Sequence, residues 1–125
     1  MVMIIEDDEI QRYAMAALFE FKNLPVLPAE NGQIALELLE HKTPSLILLD
    51  LVMPVMDGFE FLSHFQEKAE WRSIPIIVLT AKELSTEEYA HLNHYVKTIV
   101  SKKAYNQEQL IVQIDQLITE SLSVC

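Results

Sequence analysis

Leu46-Ile47-Leu48-Leu49-Asp50-Leu51-Val52-Met53-Pro54-Val55-Met56-Asp57-Gly58 is the stretch on which the fold turns. Its first four residues are apolar without alternation, as in a strand covered on both faces. The run stops at a carboxylate, Asp50, at a place where an uncompensated charge is costly. Met53 to Gly58 reads as a loop, and Asp57 and Gly58 are set to cap and start a helix carrying Phe59, Leu62, Phe65 and Gln66 toward Trp71. Buried strand, acid, loop and helix together make one βα unit.

The same unit recurs on either side. Val2 to Ile5 reads as a strand, followed by Glu6-Asp7-Asp8-Glu9 and by Ile10, Tyr13, Ala14, Ala17, Leu18 and Phe21 at helical spacing on one face. Leu24 to Ala29 is a weaker strand whose prolines at 25 and 28 assign it to a sheet edge. Asn31-Gly32 reads as a turn, before a helix marked by Ile34, Ala35, Leu38 and Leu39. Ile74 to Leu79 is a fourth strand ending at Thr80-Ala81, and Ser85 and Glu88 form a capping box for a short fourth helix. Val96 to Val100 is a fifth strand leading to Ser101-Lys102-Lys103. Asn106 can cap a last helix bearing Leu110, Ile111, Ile114, Leu117 and Ile118. Five βα units predict an α/β fold with a parallel sheet and helices on both faces.

Composition bounds what such a domain can do. The 125 residues fit one domain, residues 1–125 with a core over about 2–118. Half the residues are hydrophobic, as in a globular chain, and no apolar run approaches the roughly 20 residues of a membrane span. No secretory leader is visible, so a cytoplasmic location and no membrane partner are expected. A formal net charge of −10 argues against nucleic-acid binding, which needs cations for the phosphate backbone. The one cysteine, Cys125, can form no internal disulfide.

In parallel sheets, ligands gather beyond the carboxyl ends of the strands. At those ends the sequence sets Glu6, Asp7 and Asp8 after the first strand, Asp50 after the third, Thr80 after the fourth and Lys102 after the fifth. Carboxylates so crowded repel one another, and a hard divalent cation relieves the repulsion. Mg²⁺ suits an all-oxygen set that leaves room for water. A carboxylate beside such an ion can act as a nucleophile toward phosphorus and become an aspartyl phosphate. Thr80 and Lys102 are natural counter-groups for the phosphoryl oxygens.

These segments, with Pro75-Ile76-Ile77-Val78-Leu79-Thr80-Ala81 and Lys102, give a chain that resembles the receiver domain of two-component response regulators over about Val2 to Ile118. The resemblance implies a flavodoxin-like (βα)5 sheet of order 2-1-3-4-5. It implies Asp50 as phosphoacceptor, Asp7 and Asp50 as direct Mg²⁺ ligands, Glu6 acting through water and the Val52 backbone carbonyl as a third protein ligand. Asp8 falls at a variable position, as a helper to the acidic pair. Thr80 and Lys102 would contact the phosphoryl group. The implied partners are a histidine kinase or histidine phosphotransfer domain, and an output protein or attached domain that the residues do not name.

Two positions depart from the family pattern. Ile99 stands where an aromatic switch residue is usual, and Lys103 stands where proline is usual. The segment Ser101-Lys102-Lys103-Ala104-Tyr105 is closer to receivers attached to hybrid histidine kinases. One alternative is a receiver-like interaction module that is not phosphorylated. Another, a phosphatase of the haloacid-dehalogenase kind, needs an acid two residues after the nucleophile, where this chain has Val52. The protein is therefore expected to catalyse its own phosphorylation and dephosphorylation and not to turn over a substrate.

Overall fold

In the computed structural model, the described residues are 1–101 except Lys22 and Pro54, together with Gln109, Val112, Gln113, Gln116 and Thr119. The elements run β1 (Val2–Ile5), α1 (Glu9–Phe21), β2 (Val26–Ala29), α2 (Gly32–Leu39), β3 (Leu46–Leu49), α3 (Gly58–Gln66), a 3₁₀ turn (Ala69–Trp71), β4 (Ile76–Thr80), α4 (Thr86–Asn93) and β5 (Thr98–Ser101). All strand pairs are parallel and the order is β2-β1-β3-β4-β5. The expected α/β architecture and strand order are both present. Among the described residues no helix is long and apolar enough to cross a membrane. Lys102, Lys103 and the last helical pattern from Asn106 lie outside the described residues, apart from the five named above.

Because successive strand residues point to opposite faces, the sheet sorts its apolar side chains into two layers. Met3, Ile5, Ile47, Leu49, Ile76 and Val78 face α2, α3 and Leu92 of α4. Val2, Ile4, Leu46, Leu48, Ile77, Leu79 and Val100 face α1 through Phe19, Met15 and Leu18. Each fully buried large apolar side chain stabilises the fold by roughly 1.5–3 kcal/mol.

Several local expectations hold. Asp57 caps α3 by accepting from the Glu60 amide at 2.9 Å. Ser85 and Glu88 form the capping box of α4. Trp71 packs at the far end of α3, its ring 5.9 Å from that of Phe65.

Others are corrected. Asn31 is the N-cap of α2, accepting from the Ile34 amide, and Gly32 is the first helical residue, where a separate turn was expected. The strands β2, β4 and β5 begin two residues later than their apolar runs suggest. Thr80 belongs to β4 itself, paired with Ser101. The largest change concerns α1. Ile10 and Phe21 are 80 % and 88 % exposed and Tyr13 is exposed as well, whereas Arg12 and Phe19 are buried, with Met15 and Ala16 partly buried beside them. The inward stripe is 12-15-16-19.

The loop from Asp50 to Gly58 is tightly drawn. The Gly58 amide donates to the Leu51 carbonyl at 3.0 Å, and the Gly32 amide to the Met56 carbonyl at 3.3 Å. A Cβ on Gly58 would meet the Leu51 Cα at 2.7 Å and the Asp50 carbonyl oxygen at 2.8 Å. Val55 adopts φ 69°, a left-handed conformation that β-branched residues avoid. Gly58→Ala is expected to destabilise the domain by about 1–3 kcal/mol through backbone displacement. Val55→Gly, at a position 79 % exposed, is expected to stabilise by about 1 kcal/mol, since strain of about 1–3 kcal/mol exceeds the entropic cost of glycine. Urea denaturation of both variants measures the two effects, and a stabilised Gly58→Ala or a destabilised Val55→Gly would contradict this account of the loop.

Candidate functional site

The strand register builds the site. Ile5 pairs with Leu49 across β1 and β3, so the next residues, Glu6 and Asp50, leave the sheet side by side. The Asp50 amide donates to the Ile5 carbonyl at 3.1 Å, and the Glu6 amide to the Ala29 carbonyl at 3.0 Å. Both exits are thus pinned by backbone bonds that extend the ladder. One carboxylate oxygen from each of Glu6, Asp7 and Asp50 lies within 4.8 Å of the others. Glu6 is buried, Asp50 is 9 % exposed and Asp7 is open to solvent.

These residues open into a cleft of about 430 Å³ lined by Glu6, Asp7, Asp8, Gln11, Asp50, Val52, Ala81 and Lys82. The Val52 amide donates to Asp50 Oδ1 at 3.3 Å. Asp8 lines the cleft, but its Oδ1 accepts from the amides of Ile10 and Gln11 at 2.9 and 3.2 Å. It thereby caps α1, and it is outside the convergent triad. Thr80 is buried at the end of β4, and its Oγ1 accepts from the Lys82 amide at 3.0 Å. Lys102 lies outside the described residues. Ile99 is away from the cleft, partly buried against the core layer of α2 and α3.

Gln11 and Arg12 escaped the sequence reading of the site, and Lys82 joins them at its border. Gln11 lines the cleft from the first turn of α1. Lys82 lies on its lip, ion-paired with Glu88 of the α4 capping box and 5.5 Å from the Phe59 ring centre. Arg12 reaches the loop from below, its Nη1 donating to the Glu6 carbonyl at 2.8 Å and to the Asp7 carbonyl at 3.4 Å. A sequence signal for Arg12 existed in the spacing 12-15-16-19, but its charge favours the opposite face.

The electrostatics follow from the crowding. Loss of hydration raises the Asp7 carboxyl above the ordinary aspartate value of 3.8, and its hydrogen bond with Glu6 and the charge of Glu6 raise it further. Three convergent carboxylates and an open cleft suit a hard divalent cation with oxygen ligands and water, so the residues present fit Mg²⁺. The cation would neutralise the charge that accumulates when an anionic group approaches Asp50.

Residues 2–115 match the response regulator receiver domain family. The protein PilH of Pseudomonas aeruginosa is 32 % identical over 87 residues, covering 70 % of this chain and 72 % of PilH. Histidine kinase P4 of Formosa agariphila is 30 % identical over 117 residues, covering 94 % of this chain but 8 % of the kinase. The receiver domain of the sensor histidine kinase PA1611 from Pseudomonas aeruginosa, solved with magnesium coordinated in its active-site cleft, superposes with a TM-score of 0.82. That match covers 98 % of this chain and 97 % of the other at 20 % identity. With the fold, the strand order and the acidic triad Glu6, Asp7 and Asp50 in place, the chain belongs to the response regulator receiver domain family.

Proposed function

We propose that this domain receives a phosphoryl group on Asp50 from a histidine kinase or a histidine phosphotransfer domain. The observation that carries the reading is the convergence of Glu6, Asp7 and Asp50 at one sheet edge, with Asp50 at the base of an open cleft. In the transfer, the P–N bond of the donor phosphohistidine breaks as a P–O bond forms to the Asp50 carboxylate. The leaving imidazole takes up a proton from solvent. Mg²⁺, when bound, supplies positive charge for the phosphoryl oxygens.

The chain's own residues have the following roles in this reading. Asp7 and Asp50 would hold the cation directly and Glu6 would hold it through water, with the Val52 carbonyl as a further ligand. Thr80 supplies a hydroxyl to the phosphoryl oxygens, for which it exchanges the bond it now accepts from Lys82. Lys102 supplies an ammonium, a role that rests on its place in the sequence after β5. Residues 2–118 act as one receiver unit. Val52 follows Asp50 by two positions and offers no acid for a leaving group, which supports a phosphoacceptor over a turnover phosphatase. The bound phosphoryl group would alter a protein-binding surface read by an output protein or attached domain.

Incubation with acetyl phosphate and Mg²⁺ is expected to add the mass of one phosphoryl group to wild type and none to Asp50→Asn. Equal mass gain in both proteins would overturn the assignment. The raised Asp7 pKa gives a second expectation. A carboxyl that binds its proton more tightly folded than unfolded costs stability when charged. That cost is absent below the unfolded pKa, grows between the two values and is fully present above the folded one. Metal-free Asp7→Asn should therefore melt above metal-free wild type at neutral pH, with the gap closing on acidification below the ordinary value of 3.8. Mg²⁺ should raise the melting temperature of wild type and not of the variant. A gap that widens in acid would contradict the crowding described above.

A further inference from the structure

We infer that Arg12 is a positioning residue for the cation site, one that pre-forms the β1–α1 loop so that the Glu6 and Asp7 carboxylates converge before the ion arrives. The inference rests on the cation site of the proposed function and extends it to a residue outside the ligand set.

Arg12 is a costly choice for its position. It occupies the inward stripe of α1 with Met15, Ala16 and Phe19, where an apolar side chain would pack without penalty. It is 9 % exposed, and a guanidinium removed from water must be hydrogen-bonded to be tolerated. Its bonds go to the backbone carbonyls of Glu6 and Asp7, the two acids that β1 delivers to the cleft. Both bonds leave the same Nη1, whose two N–H groups are held in the rigid plane of the guanidinium, an orientation that the freely rotating lysine ammonium reproduces less well. The helix is itself tied to the same loop, since the Arg12 amide donates to the Asp8 carbonyl at 2.9 Å and Asp8 caps the first turn. Loop and helix therefore brace each other from both ends of Arg12.

Arginine donates hydrogen bonds only, so it cannot ligate a cation and acts through the loop. It is also absent from the residues that line the cleft. Two effects on cation affinity oppose each other. Its charge repels a cation, and its bonds hold the ligands in place. The guanidinium bonds to the loop's backbone and does not line the cleft, and water in the open cleft screens the repulsion. Fixing the ligands is the larger effect, because residues that orient metal ligands typically change affinity about 10–100-fold.

The test is titration calorimetry of Mn²⁺ and Mg²⁺ into the full chain, at a temperature where circular dichroism shows each variant folded. Arg12→Met is expected to bind about tenfold more weakly than wild type. Arg12→Lys, which keeps the charge and one donor group, should fall between the two. Phe19→Leu, on the same inward stripe, should lower the melting temperature without changing cation affinity. Arg12→Met binding as tightly as wild type, or more tightly, overturns the inference alone. Failure of wild type to bind either ion overturns the cation site and the inference with it. If Arg12→Met does not fold, Arg12→Lys decides, and wild-type affinity in that variant overturns the inference. A Phe19→Leu affinity as weak as that of the Arg12 variants also overturns it, since the effect would then be general loosening.

Discussion

The pairing of Ile5 with Leu49 in parallel register is the constraint on which the site depends. Neighbouring strands lie about 4.8 Å apart, so two chains that leave the sheet at the same level deliver their next side chains together. Here both next residues are acids, Glu6 and Asp50, and Asp7 joins them from the same loop. A one-residue slip would send the acidic side chains to opposite faces and break up the set. The apolar layers that enforce the register thus hold three like charges in proximity against their repulsion. Loss of hydration first, then the hydrogen bond with Glu6 and that repulsion, raises the Asp7 pKa, and the buried Arg12 bonds to the backbone of the same loop.

From this corner, hydrogen bonds continue along the sheet edge. Thr80 accepts from the Lys82 amide, and Lys82 pairs through its side chain with Glu88. Glu88 in turn accepts from the Ser85 amide, closing the first turn of α4. The lip of the cleft and the start of α4 form one bonded unit. Ile99 takes part differently. Through its pairing with Val78 it faces the α2–α3 layer, where it contributes apolar packing and no polar group. Position 99 is thus filled by an aliphatic side chain one strand away from Thr80.

Much of this was legible in the chain because burial on both faces leaves a plain mark. The runs at β1, β3 and β4 could be located from apolar composition alone, and the polar residues at their ends, Glu6 and Asp7, Asp50 and Thr80, followed. The caps at Asp57 and at Ser85 with Glu88 were legible because their chemistry is local. What was misread depends on long-range partners. Two stripes fit the helical spacing of α1. The more apolar one, Ile10-Tyr13-Phe21, faces out, because Phe19 fills the space over Val2 and Ile4 and Arg12 has carbonyls to satisfy. Asn31-Gly32 carried signals common to a turn and a helix start, and only the bond from Ile34 separates them. The strand starts were misplaced because apolar residues such as Leu24, Ile74 and Val96 pack without pairing.

The other edge of the sheet has a consequence of a different kind. Pro25 and Ala29 offer their carbonyls to β1, so the odd-numbered residues of β2 turn their backbone groups inward. Pro28, between them, turns its backbone outward, at a point where most residues would present a free N–H. A foreign strand laid along this edge would find a donor missing in a segment of only four residues. Proline in an edge strand is one of the ways in which proteins discourage sheet-to-sheet aggregation. The residue that made β2 the weakest strand to recognise is therefore also the one that keeps the domain's outer border from recruiting neighbours.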